Sequence, residues 1–240
     1  WFITGAMKER TKIRIVMGRS DPSNASRHLQ QSQVLVPKDT AGLTLVRPLS
    51  TFGYDDAPIG HAELIFENCR VPLDNVLLGE GRGFEIAQGR LGPGRMHHCM
   101  RLIGTGQRAL ELACKRAVSR STFGRKLSKH QSVREDISRM FSEIEMARLL
   151  VLKTCYKIDE KGVAASIDMI AATKTTIPLL IQNVIDRAMQ MHGAGGLTAD
   201  YCMAEGFNYA RWCRQADGPD QVHQMSLGKQ IIERYSGEKA

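Results

Sequence analysis

The chain has 240 residues, 42% apolar and 24% charged, enough apolar mass to bury one large or two small cores and too much of it for a disordered protein. A formal charge of +8 suits anionic partners: nucleic acid, anionic lipid or a phosphorylated small ligand. No run of five Lys/Arg occurs, so the basic residues read as a solvated surface and speak against a nucleic-acid arm.

The first third reads as β-rich. Trp1-Phe2-Ile3-Thr4 looks like a strand already under way, with no initiator Met before it. Lys12 to Arg19, Ser32 to Pro37, Gly42 to Leu49 and His61 to Arg70 are short alternating or β-branched runs punctuated by Pro, Gly, Asp and Asn. Four or five such strands predict a small barrel or sandwich and not a βαβ unit. The character changes near Pro72. Val133, Ile137, Met140, Ile144, Ala147, Leu150, Val151, Thr154 and Ile158 recur at steps of three and four, which is one face of a long helix. A second long helix is predicted from Ala164 to about His192, with Pro178 as a kink point. Asp200 to about Gln215 and Gln221 to Tyr235 read as shorter helices. Long helices joined by short loops predict an antiparallel bundle, so the fold class is α+β: a β-barrel fragment followed by a helical bundle. No apolar stretch looks long enough to cross a bilayer.

The six cysteines form no C-x-x-C pair, and a chain of this size needs no disulfide framework, which points to a reducing, intracellular setting. Asn24-Ala25-Ser26 matches a glycosylation sequon without other signs of secretion. The C-terminal Gly237-Glu238-Lys239-Ala240 is not a peroxisomal address. Gly79 to Phe84 invites a nucleotide-loop reading, but the βαβ setting of a dinucleotide fingerprint is missing, and a flexible lead-in to the first helix is the better account. His97, His98, His192 and His223 lack metal-ligand spacing, so no metal is expected.

Three segments carry more information. Arg120-Ser121-Thr122-Phe123-Gly124, followed by Leu127 and Gln131, puts an Arg and a hydroxyl at a helix end, where they could clamp a pyrophosphate or simply be solvated. Gln190-Met191-His192-Gly193-Ala194-Gly195-Gly196 ends a helix in a glycine-rich turn, either an anion-binding set of amides or a helix cap. Ala216-Asp217-Gly218-Pro219-Asp220-Gln221 puts a carboxylate on a tight turn before the last helix; Asp217 or Asp220 could equally be a cap.

Taken in order, these segments resemble the acyl-CoA dehydrogenase family, in which a helical domain, a middle β-domain and a C-terminal helical bundle follow one another. The resemblance covers essentially the whole chain. Arg120, Phe123, Gly124, Leu127 and Gln131 match R-x-x-F-G-x-x-L…Q; Gln190 to Gly196 match the glutamine-to-glycine turn, with Ala194 in place of a glycine; Phe2-Ile3-Thr4 match the opening strand. The resemblance implies residues 1–75 as part of the middle β-domain, 76–240 as the bundle, and an N-terminal helical domain absent from this chain. It implies FAD as cofactor, contacted by Phe2, Ile3 and Thr4, by Arg120, Thr122 and Gln131, by Gln190, Met191, His192, Gly193 and Ala194, and by Pro219, Asp220 and Gln221. It implies Asp217 as the base that takes the substrate α-proton while a hydride leaves the β-carbon for the flavin, with Arg95 and Gly218 at the acyl-CoA substrate. Burial beside substrate is expected to raise the Asp217 pKa.

The common Tyr-Glu-Gly-Thr is here Ala216-Asp217-Gly218-Pro219, and the alternative base position of some members is Gly94, which cannot serve. This form looks like the branch often fused to an aminoglycoside-phosphotransferase-like kinase domain. The resemblance further implies β-oxidation, a homotetramer built as a dimer of dimers, electron-transfer flavoprotein as acceptor, and a mitochondrial or peroxisomal site in a eukaryote or the cytoplasm in a bacterium. A DNA-associated member, a non-catalytic acyl-CoA-binding member and an acyl-CoA oxidase are the competing readings.

Overall fold

The computed structural model describes residues 1–236; the C-terminal Gly237 to Ala240 read above lies outside them. Two compact units follow one another, Trp1–Arg90 and a second beginning at Leu91. The boundary falls inside a helix, whereas the sequence placed it at 75/76.

In the first unit, strands β1 (Phe2–Thr4), β4 (Leu43–Leu49) and β5 (His61–Phe66) form one antiparallel sheet in the order β1-β5-β4. Strands β2 (Ile13–Arg19) and β3 (Gln31–Pro37) pair separately as a hairpin. The strands come where the alternation put them, but they close no barrel among the described residues: they stay as two small sheets. Strand pattern fixes which face is apolar and not which edges meet, so the antiparallel strands are as expected and the barrel itself is not formed among the described residues. Alternation along β1 turns Ile3 toward the small core of Ala6, Ala62 and Leu64, while Phe2 and Thr4 are exposed.

The Gly79 to Phe84 lead-in is neither a phosphate loop nor loose. Gly81 donates its amide to Ser32 Oγ at 2.8 Å, and the Gln33 amide donates to the Gly83 carbonyl at 3.1 Å. A Cβ on Gly83 would lie 2.8 Å from the Ser32 carbonyl carbon, so only glycine lets helix α1 (Gly83–Ser119) start against β3.

The second unit is the bundle. After α1 come a two-residue hairpin, β6 (Ser121–Thr122) with β7 (Arg125–Lys126), and helices α2 (Gln131–Lys161), α3 (Ile167–His192), α4 (Met203–Cys213) and α5 (Asp220–Ser236). The predicted stripe of α2 is the buried one: Met140, Ile144, Ala147, Val151 and Thr154 face inward. Helix α2 stops at Gly162, whose φ of 77° suits glycine and whose amide bonds the Ile158 carbonyl. Helix α3 is the centre; it packs against α2, α4 and α5 and buries Ile177, Ile181, Val184 and Ile185. Each such side chain contributes about 1.5–3 kcal/mol by leaving water. It runs unbroken through Pro178. The 34 residues Ala164–Leu197 are long and apolar enough to cross a membrane by length and composition, which corrects the expectation that no such stretch exists. Their apolarity is used in the bundle core. Asp168, at the start of α3, joins Lys157 of α2 (2.6 Å) to Arg234 of α5 (2.5 Å). Burial opposes its charge, but these two cations and the Met169 amide outweigh it and hold its carboxyl at about 2.

Candidate active site

The segment between α4 and α5 is a tight turn. Asp217 sits at φ 56° and Gly218 at φ 105°. The left-handed region costs a non-glycine residue about 1–2 kcal/mol, so the turn must be held by its surroundings, and three helices hold it. From α1, the Arg95 Nε donates to the Asp217 carbonyl at 3.0 Å. From α5, the His223 Nε2 reaches the same carbonyl at 3.2 Å. From α3, the fully buried Lys174 ammonium donates to the Cys213 carbonyl and, at 3.4 Å, to the Gly218 carbonyl. Gly218 is required twice over, by its φ and because a Cβ there would lie 2.8 Å from His223 Nε2.

The Asp217 side chain is 14% exposed and points at α1. Its Oδ2 lies 3.4 Å from His98 Nε2. A Cβ on Gly94, one turn earlier, would also lie 3.4 Å from that oxygen. The position that carries no carboxylate here is therefore next to the one that does. Behind His98, the Tyr209 hydroxyl meets Nδ1 at 2.8 Å, and Trp212 stacks on Tyr209 and meets the imidazole edge-on.

Burial sets the charges around this turn. It lowers Lys174, with Cys99 and the Asp220 and Asp217 carboxylates among the groups opposing the shift. It lowers Arg95, opposed by Asp217, and lowers His223, opposed by the Asp217 backbone. It pushes the Cys213 thiol up to about 11 and the Cys99 thiol up to about 12, and it raises the Tyr209 phenol. At neutral pH these thiols and this phenol stay protonated, and none is an activated nucleophile.

The remaining sequence-predicted residues divide by exposure. Arg120, Gln131, Gln190, Gly193, Ala194 and Gln221 are exposed, Thr122, Met191 and Pro219 are half-buried, and Asp220 and His192 are buried. The Arg120 guanidinium has no acidic partner among the described residues, and Phe123 beside it, at φ 50° in the β6–β7 turn, is 97% exposed. Gln131 is bonded to Glu135. His192 bonds the Ala188 carbonyl and packs edge-on to Tyr201, and Asp220 pairs with Arg214 at 2.8 Å. These last two side chains serve the fold. No group of three or more His, Cys, Asp or Glu side chains among the described residues could hold a metal ion.

Residues 81–232 match the model of the acyl-CoA dehydrogenase C-terminal domain. The chain belongs to the acyl-CoA dehydrogenase family. It is 50% identical over 236 residues to mouse acyl-CoA dehydrogenase family member 10, covering 98% of this chain and 22% of that protein. It is 49% identical over 230 residues to chicken acyl-CoA dehydrogenase family member 11, covering 95% of this chain and 30% of that one. Both agree with the branch that the Ala216 to Pro219 form pointed to. Among solved structures, one from Mycobacterium abscessus assigned to the acyl-CoA dehydrogenases matches with a TM-score of 0.93 at 44% identity, over 97% of this chain and 57% of that one. Butyryl-CoA dehydrogenase from Megasphaera elsdenii matches with a TM-score of 0.81 at 27% identity, over 96% and 58%. The chain thus spans between a fifth and a third of these two curated relatives.

Sequence reasoning named Asp217, Gly218 and Arg95 and missed Lys174, Tyr209 and Trp212. It weighed His98 and His223 only as metal ligands or structural residues. A signal existed for Lys174, the one charged residue between Met169 and Ile181. His98 had one too, since it lies one helical turn after Gly94.

Proposed function

We propose that the protein of which this chain is a part is an FAD-dependent acyl-CoA dehydrogenase that desaturates fatty acyl-CoA thioesters at the α,β-bond, with Asp217 as the base. The observation that carries this reading is the carboxylate of Asp217, held at positive φ by Arg95 and His223 beside the Gly94 position. Strain kept up by buried bonds is the mark of a side chain placed for chemistry. Asp217 takes the α-proton on a carboxylate oxygen, and its backbone N–H polarises the thioester carbonyl.

The residues fit FAD: the Arg120 guanidinium, with no acidic partner among the described residues, suits a pyrophosphate, and the exposed Gln190, Gly193 and Ala194 offer a turn with little side-chain cover. Exposed Phe2 and Thr4 suit a flat ring system. When bound, FAD would accept the hydride, and with it the two electrons, that leaves the substrate β-carbon. The exposure of these residues leaves them open to a second copy of the chain, in keeping with a homotetramer, and electron-transfer flavoprotein is the proposed electron acceptor.

The test is an anaerobic visible spectrum of the full-length protein titrated with acyl-CoAs. The wild type should be yellow and bleach with a suitable thioester. Asp217→Asn should keep its FAD and bleach more slowly by about 10²–10⁴-fold, the usual range for a removed general base. A yellow protein that no acyl-CoA bleaches would favour a binding role and overturn the reading.

A further inference from the structure

Behind Asp217 lies a line of side chains that the desaturation reading does not use: His98, then Tyr209, with Cys213 and Trp212 alongside. His98 is on α1, and Tyr209, Trp212 and Cys213 share one face of α4. The imidazole is 14% exposed and touches a partner at each nitrogen. Nδ1 meets the Tyr209 hydroxyl at 2.8 Å, with the Cys213 sulfur at 3.8 Å, and Nε2 meets Asp217 Oδ2 at 3.4 Å. That last distance is an ion-pair contact, longer than an ordinary N–H···O bond.

The tautomer follows from the partners. Burial keeps the Tyr209 phenol protonated, so it can donate to Nδ1. The hydroxyl can donate or accept, and it also bonds Cys213, so the carboxylate decides: a proton on Nε2 faces it, whereas the opposite tautomer would set a lone pair against a negative oxygen. Trp212 packs edge-on against the imidazole with centroids 5.6 Å apart, and its stacking on Tyr209 limits how that ring can turn.

We propose that His98, oriented by Tyr209, is a positioning residue for the base: its Nε2–H faces Asp217 Oδ2 and fixes the orientation of that carboxylate. This rests on the reading of Asp217 as the base. A donor to the carboxylate favours the charged form. It keeps Asp217 ionised in a site whose burial works against charge, and it selects one side-chain rotamer. The other titratable groups around the turn are Arg95 from α1, Lys174 from α3, Asp220 beside it and His223 from α5, with Arg101 acting on Tyr209 and Cys213. All of these stay in place in the variants below.

The sign is fixed by the donor. Activity needs Asp217 ionised; without the Nε2–H the carboxylate protonates at higher pH, so the acidic limb of the pH profile moves up. The experiment uses the full-length holoenzyme and two readouts. One is kcat and KM across pH. The other is exchange of the substrate α-proton in D2O with the enzyme pre-reduced, which reports proton abstraction without net oxidation. His98→Leu should lower kcat about 10- to 100-fold, within the range of an impaired proton transfer, with KM changed only slightly. Its acidic limb should move up by about one pH unit, the size of one lost charge-assisted bond, and exchange should fall in step. His98→Gln, which keeps an N–H near the Nε2 position, should recover most of the loss. Tyr209→Phe should move the limb the same way by less, and it carries the test if His98→Leu does not fold. A limb that stays at the wild-type pH in these variants, or a Gln variant no better than Leu, overturns the proposal. If Asp217→Asn proves as active as wild type, the base reading itself fails, an outcome separate from either.

Discussion

Two turns of the same bundle are built in opposite ways. The one between α4 and α5 is tied down from three helices: Arg95, Lys174 and His223 each bond its carbonyls, and Asp217 at its tip is strained but fixed. The one after α3, like the hairpin before α2, is held by local backbone bonds and leaves Gln190, Gly193, Ala194 and Arg120 exposed. The difference teaches where each kind of work is done. A group that must meet a reacting atom is preorganised inside one chain. Groups that contact a large ligand can stay open until the ligand or another copy of the chain covers them.

The contrast can be broken from either side. The largest effect on stability should come from Lys174→Met, which fills the space but leaves the Cys213 and Gly218 carbonyls without their donor; about 2–3 kcal/mol should be lost, read from denaturant unfolding. Gly218→Ala adds a Cβ at positive φ against His223 and should cost about 1–2 kcal/mol by the same measurement, with a lower kcat because the Asp217 carbonyl loses its fit to that imidazole. On the open side, Arg120→Gln should leave the unfolding midpoint of the apoprotein within about 0.5 kcal/mol, as exposed substitutions do. It should nevertheless weaken FAD retention by about tenfold, read from the Kd, as a lost charged hydrogen bond would. A large loss of apoprotein stability in Arg120→Gln, or none in Lys174→Met, would erase the distinction between the two turns.

Much of this was legible along the chain. The stripe of α2 needed only the three-and-four spacing, because a helix buries whatever its period puts on one face. The strands were legible for the same reason at period two. Their arrangement into two separate sheets was not, because it depends on which edges meet across long stretches of sequence. The apolar length of α3 hid in plain view among its polar Thr173, Lys174, Thr175 and Thr176, and the role of Lys174 shows only in its two carbonyl partners.

By itself the sequence determined the element order, the α2 core face, the family and the carboxylate at Asp217, since all of these are written in local spacing and short motifs. Only the tertiary structure decided that His98 stands against that carboxylate from 119 positions earlier, that Lys174 and His223 grip the turn, and that Gly83 and Gly218 are set by packing. The reason is physical. Pairings between distant segments depend on how several helices cross, and no local pattern records that.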